Sequence, residues 1–204
     1  MKFIKTAALG AALSLSALAA QAQTTFNFAY TFDPANAGTV TNNPTQVVTI
    51  TGSFTGTEVG NLISNISNIS VALNGTSFAG PLMVEAFDNT GNISDTVAPV
   101  VSTNVALSNF VFVDADVAAG GNPSNYFLIA TLPDSNGVMA PEAFAVNTNT
   151  VDSNGNALSG DERAASNAHW TVTAVSAVPE PSTYVLMAAG LGLVGLRLQR
   201  RRQA

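Results

Sequence analysis

The 204-residue sequence has no cysteine, a single histidine (His169), and two lysines, Lys2 and Lys5, that both fall in the first five positions. Without cysteine there is no disulfide and no thiolate nucleophile. Without lysine beyond residue 5, Schiff-base and Ser–Lys schemes are excluded from the rest of the chain. One histidine and no cysteine cannot build a zinc site on three nitrogen or sulfur ligands. A Ser–His–Asp arrangement would have to use His169, and no Gly-x-Ser-x-Gly motif accompanies it. Positive charge is equally scarce: between residues 23 and 178 Arg163 is the only base, set against twelve acids, so that segment carries a formal charge of −11 while the whole chain carries −6. Such a body repels phosphate backbones, which excludes a nucleic-acid partner.

The other six bases lie at the two ends. Lys2 and Lys5 precede an uncharged Ala/Leu/Gly/Ser stretch over 6–20 that closes on Ala20-Gln21-Ala22. Signal peptidase takes small side chains at −3 and −1, so residues 1–22 are expected to be a secretory signal peptide cut after Ala22, leaving Gln23 first.

At the other end, Val178-Pro179-Glu180-Pro181-Ser182 leads into an uncharged run over 183–196 (Thr183, Leu186, Gly190 and Leu196 among it), followed by Arg197, Arg200, Arg201 and Arg202. As a helix, residues 183–198 would span about 24 Å, somewhat under a bilayer core of about 30 Å. Snorkelling arginines and local thinning cover the difference. The positive-inside rule places the arginines in the cytoplasm and everything before residue 178 outside, in agreement with the signal peptide. Gly190-Leu191-Gly192-Leu193-Val194-Gly195 satisfies G-x-G-x-x-G, but no acidic residue follows it, so it is not a dinucleotide fingerprint.

This order of Pro-Glu-Pro, short apolar helix and arginine cluster resembles the PEP-CTERM sorting signal of Gram-negative, exopolysaccharide-producing bacteria. The resemblance covers 178–204 and implies recognition by an exosortase, a membrane-embedded transpeptidase-like enzyme. It further implies that Val178, Pro179, Glu180 and Pro181 form the recognition element, 183–196 the membrane segment, and Arg197 with Arg200 to Arg202 the cytoplasmic retention signal. Two prolines around one glutamate hold the backbone extended and helix-free where an enzyme must grip it.

The intervening segment, residues 23–177, is patterned for strands. Phe26, Phe28, Tyr30 and Phe32 alternate with small and polar residues, and Val48, Ile50 and Phe54 repeat the pattern with Gly52 in phase as a bulge or crossing point. Further runs begin at Ile69, Leu82, Phe110, Tyr126 and Trp170. Turn chemistry separates them at Asp33-Pro34, Asn42-Asn43-Pro44, Asn74-Gly75, residues 89–92, 120–123, 133–137 and 154–156. These features predict one all-β domain, an antiparallel β-sandwich or jelly-roll-like fold, flanked by the signal peptide and a C-terminal transmembrane helix. An Asn-Ile-Ser repeat at 65–70 is too brief for a solenoid.

Candidate chemistry in the body is thin. His169 reads as an exposed or edge-strand residue. Asp114 with Asp116, and Asp161 with Glu162 in a loop, are carboxylate pairs of the kind glycosidases use. Asp152, Asn154 and Asn156 offer oxygens at positions 1, 3 and 5 of an EF-hand-like loop, which Asp161 or Glu162 would have to close because Ala157 and Arg163 stand at positions 6 and 12. Asp88, Asn92 and Asp95 are a second calcium candidate, although Asp, Asn and Gly also make turns unaided. Four Asn-x-Ser/Thr sequons occur, at Asn65, Asn68, Asn74 and Asn92.

The expectation is an exported, exosortase-processed surface or matrix protein without catalytic residues or cofactor, structural or adhesive in role and associated with exopolysaccharide or biofilm. Signal peptidase and exosortase are its processing enzymes. It is held at the inner membrane facing the periplasm in transit, then placed at the cell surface or outside. The rival expectation is a calcium-dependent or carbohydrate-binding module, or a weak glycoside hydrolase.

Overall fold

The computed structural model describes residues 23–35, 39–43, 46–134, 136–152 and 154–175. The residues expected to direct export, Ala20 and Ala22 at one end and Val178 to Arg202 at the other, lie outside the described residues, as do both expected membrane-active segments. Among the described residues of the unit that ends at Ala174, twelve strands form two sheets in which every pairing is antiparallel.

The first sheet runs β12-β1-β3-β4-β5: β12 (Trp170–Ala174), β1 (Thr24–Phe32), β3 (Val48–Val59), β4 (Leu62–Leu73) and β5 (Thr76–Ser77), with β7 (Val101–Ser102) also on β4. The second runs β2-β11-β10-β9-β8-β6: β2 (Thr39–Thr41), β11 (Ala157–Arg163), β10 (Met139–Val151), β9 (Asn125–Pro133), β8 (Phe110–Val113) and β6 (Met83–Glu85). Edge strands are short, two to five residues, which limits the unpaired backbone offered to other chains.

The alternation in β1 does what it predicts. Phe26, Phe28, Tyr30 and Phe32 are all buried on one face. Rings of the second sheet meet them: Phe28 lies 5.5 Å from Phe112 and 5.9 Å from Phe127, and Phe54 lies 5.8 Å from Phe112. Trp170 closes the cluster at 5.8 Å from Phe28 and 6.1 Å from Phe127. The core is therefore one aromatic layer shared by the two sheets. Each such ring, fully buried, contributes about 1.5–3 kcal/mol.

Gly52 keeps the register of β3, opposite Phe28 on one side and Val71 on the other. A Cβ there would stand 2.1 Å from the Ser70 carbonyl oxygen and 2.5 Å from the Phe28 ring, so it is a close crossing rather than itself a bulge. The bulges are on the facing strand. Thr57 pairs with Ser64, Thr55 with Ser67 and Ser53 with Ser70, so two residues of β3 are twice matched by three of β4. Asn65 and Asn68 are the extra residues, with φ of 52° and 51°. This accounts for the Asn-Ile-Ser repeat. A period of three is a period of two plus one bulged asparagine, and it keeps Ile63, Ile66 and Ile69 packed on the core.

Turns follow their residues. Asn74 and Gly75, both at positive φ (47° and 81°), join β4 to β5 as a two-residue loop of type I′ character. Three of the four sequon asparagines are thus left-handed backbone positions.

Candidate functional site

The one histidine is not exposed. Its side chain is 19% accessible, and its Nδ1 lies 2.7 Å from Glu162 Oε2. The Tyr30 hydroxyl donates to the same oxygen at 2.8 Å. Glu162 is only 4% exposed because β11 turns it inward beside the buried Ala143, its partner across the ladder. The expected loop at Asp161-Glu162 is therefore corrected: both residues lie in β11, on opposite faces, and do not form a carboxylate pair. Burial first, then the adjacent Glu162 carboxylate, push the Tyr30 phenol far above its ordinary pKa. Sequence reasoning missed this network, yet a sign was present. A tyrosine at an inward position in a phenylalanine series must find a partner for its hydroxyl. Beside it, Trp170 Nε1 donates to the Ser102 carbonyl at 2.7 Å, which ties the last strand to β7.

The other proposed carboxylate pair also separates into backbone roles. β8 ends at Val113, so Asp114 and Asp116 follow the strand instead of sharing a face of it. Asp114 accepts from the Ser124 amide and the Asn125 side chain, at 2.9 and 2.7 Å. Asp116 accepts from the Ala119 amide at 2.8 Å.

The calcium candidates fall into a repeated turn. In 88–92, 134–138 and 152–156, the leading aspartate accepts from the amides two and four positions on, and the glycine at the fourth position donates its amide back to the aspartate carbonyl. Those glycines, Gly91, Gly137 and Gly155, have φ of 83°, 77° and 81°. The amides hold all three carboxyls below the usual range: the Asn156 amide at Asp152, the Val138 amide at Asp134, and at Asp88 the Thr90 hydroxyl followed by the Asn92 and Thr90 amides. Asp152, Asn154 and Asn156 are thus together in one turn. Asp161 stands five residues further along β11, roughly 16 Å from Asn156. Its side chain is on the outer face, in a ladder position opposite Phe144. Among the described residues no group of three or more His, Cys, Asp or Glu is placed to hold a metal ion.

The outer face of the second sheet carries a smaller apolar cluster, with Tyr126 stacked on Phe144 at 5.5 Å and 12°. An open hollow of about 290 Å³ adjoins it, lined by Phe87, Ile93, Val111, Val113, Tyr126 and Leu128. Asn122 and Pro123 are its other contributors besides Val117, so the hollow offers few polar groups to orient a ligand.

What the geometry defines is an all-β body whose last strand, pinned by Trp170, ends at Ala174, just ahead of the Pro-Glu-Pro segment. Residues 177–202 match the model of the PEP-CTERM protein-sorting motif, so the chain carries that signal. The match begins one residue before and ends two residues before the 178–204 read from the sequence. It marks the chain as an exported protein that passes through the membrane and is processed by an exosortase. No curated protein and no solved structure matches the chain.

Proposed function

We propose that the body, a β-sandwich, serves at the cell surface or in the extracellular matrix as a non-enzymatic structural or adhesive component associated with exopolysaccharide or biofilm. The observation that carries this reading is the sorting motif that follows an acidic, cysteine-free domain rich in Asn, Thr and Ser. His169, the one conventional general base, is engaged with Glu162 and stands edge-on to the Tyr30 ring. A surface dense in Asn, Thr and Ser suits weak, multiple hydrogen bonding to hydrated polysaccharide, and the net −11 of the body keeps copies apart.

The test is a chain deletion in the producing cell, complemented by wild type and by a form lacking residues 177–204. Loss of matrix cohesion or adhesion, restored by the wild type only, supports the role. A matrix unchanged by deletion, or turnover of a glycan by the purified chain, defeats it.

A further inference from the structure

We propose that Glu85 and Asp116, at the edge of the second sheet, hold a divalent cation, with calcium the ion their oxygen chemistry fits. This inference does not rest on the matrix role above. Glu85 closes β6 and is 8% exposed. Its Oε1 accepts from the Val117 and Ala118 amides at 2.9 and 3.4 Å, while its Oε2 is buried with no hydrogen-bond partner. Asp116 caps the same turn, whose Val117 and Ala118 amides go to Glu85 and whose Ala119 amide goes to Asp116, so the two carboxylates face one stretch of backbone. Asp116 is fixed in turn: its Oδ1 takes the Ala119 amide at 2.8 Å, and its carbonyl takes the Gly121 amide at 2.6 Å. Each carboxylate is thus anchored by the loop it caps, and neither can swing away without giving up amide bonds.

Two anchored like charges side by side repel, and a buried carboxylate oxygen without a partner is costly. Among the described residues no base stands beside them. Arg163, the only base between residues 23 and 178, lies 3.7 Å from Glu142 on β10, and β11 is four strands away from β6, roughly 19 Å. A cation from solution would supply the charge that no described base brings to the pair. Burial, with Asp116 adding to it, pushes the Glu85 carboxyl up, while the two amides on Oε1 favour its charged form. A proton is therefore the competing occupant. Calcium takes six to eight oxygen ligands in flexible geometry, so two carboxylates completed by carbonyls and water suffice for the weak affinity typical of extracellular modules, about 10⁻⁴–10⁻³ M.

The experiment is thermal unfolding of the full chain in detergent at pH 7, titrated with calcium chloride against chelator and an ionic-strength control. The expected result is a rise in Tm of about 3 °C at roughly 10 mM calcium, half of it reached by about 2 mM. The rise should vanish in Glu85→Gln and in Asp116→Asn and persist in Asp152→Asn. Asp116 is the more accessible partner, so its variant serves if Glu85→Gln does not fold. An equal rise in both variants would mean only diffuse screening of an acidic body and would overturn the site. A Tm indifferent to calcium, but raised at pH 7 by Glu85→Gln, would assign the pair to a shared proton and overturn it equally.

Discussion

The Tyr30 hydroxyl donates to the Glu162 carboxylate across the core at 2.8 Å, and the two residues belong to different sheets. With His169 on the same oxygen, one buried carboxylate links β1, β11 and the residue just before β12. Tyr30→Phe removes one donor and leaves a buried acceptor under-satisfied, which should cost about 1–3 kcal/mol in urea unfolding. Tyr126→Phe, on the outer face, is the control and should cost less than half as much.

The two bulges make a prediction about asparagine. Asn65 and Asn68 sit in the left-handed region, where Asn and Gly are tolerated and branched residues are not. Asn65→Gly should be within about 0.5 kcal/mol of wild type, whereas Asn65→Val should cost about 1–2 kcal/mol. Deleting Asn65 outright should be worse than either. It shifts Leu62 and Ile63 by one position, turning Ile63 out of the core where it is now 1% exposed. Chemical denaturation of the three variants ranks them.

These bulges also show where the sequence was legible and where it was not. β1 could be read because four aromatics alternate with small and polar residues on a strand without irregularity. The first half of β4 could not, since each bulge breaks the period of two that reveals a strand. β10 and β11 were missed for a different reason. Their inward residues, Ala143, Ala145, Asn147 and Gly160 among them, have little intrinsic strand preference, and long-range pairing with β9 decides their conformation. The sorting signal was fully legible because its chemistry is local and linear. The Tyr30–Glu162–His169 contact was not, because 132 residues separate tyrosine from glutamate.

Gly160 lies under Phe32 as Gly52 lies under Phe28. A Cβ at Gly160 would stand 2.4 Å from the Phe32 ring. Gly160→Ala should therefore cost about 1–3 kcal/mol by overpacking. Phe32→Leu in the same chain should recover part of that loss, since the two changes compete for one volume. A double-mutant cycle showing strict additivity would contradict the contact.

Acid should act on the body in two opposite steps. Asp161 and Glu142 are raised, both chiefly by burial, with Arg163 opposing. Folding then favours their protonated forms, so stability should grow as pH falls through the window between the raised values and the ordinary carboxylate range. Asp88, Asp134 and Asp152 are lowered by the donors of their turns. Their contribution is complete above the ordinary aspartate value of about 3.9 and is lost as pH falls further, through the folded values. Tm should pass through a maximum in mild acid, and Asp161→Asn with Glu142→Gln should make its neutral side shallower, Glu85 keeping the remainder, while leaving the acid limb in place.

Exosortase processing demands a body that survives loss of its tail, and β12 ends at Ala174, ahead of the matched motif at 177. A chain stopped after Val175 keeps all five pairings of β12 with β1 and the Trp170 side chain, 3% exposed in the aromatic layer. Its Tm should equal that of the tailed chain within about 2 °C, a difference of under 1 kcal/mol. A chain stopped after Asn167 loses His169, Trp170 and the edge strand together. Removal of a buried Trp alone costs about 3–5 kcal/mol, a large share of the 5–15 kcal/mol that holds a domain of this size. That truncation should be unfolded or aggregated by circular dichroism. If it remained folded, β12 would be dispensable, and the placement of the sorting motif immediately after it would carry no structural meaning.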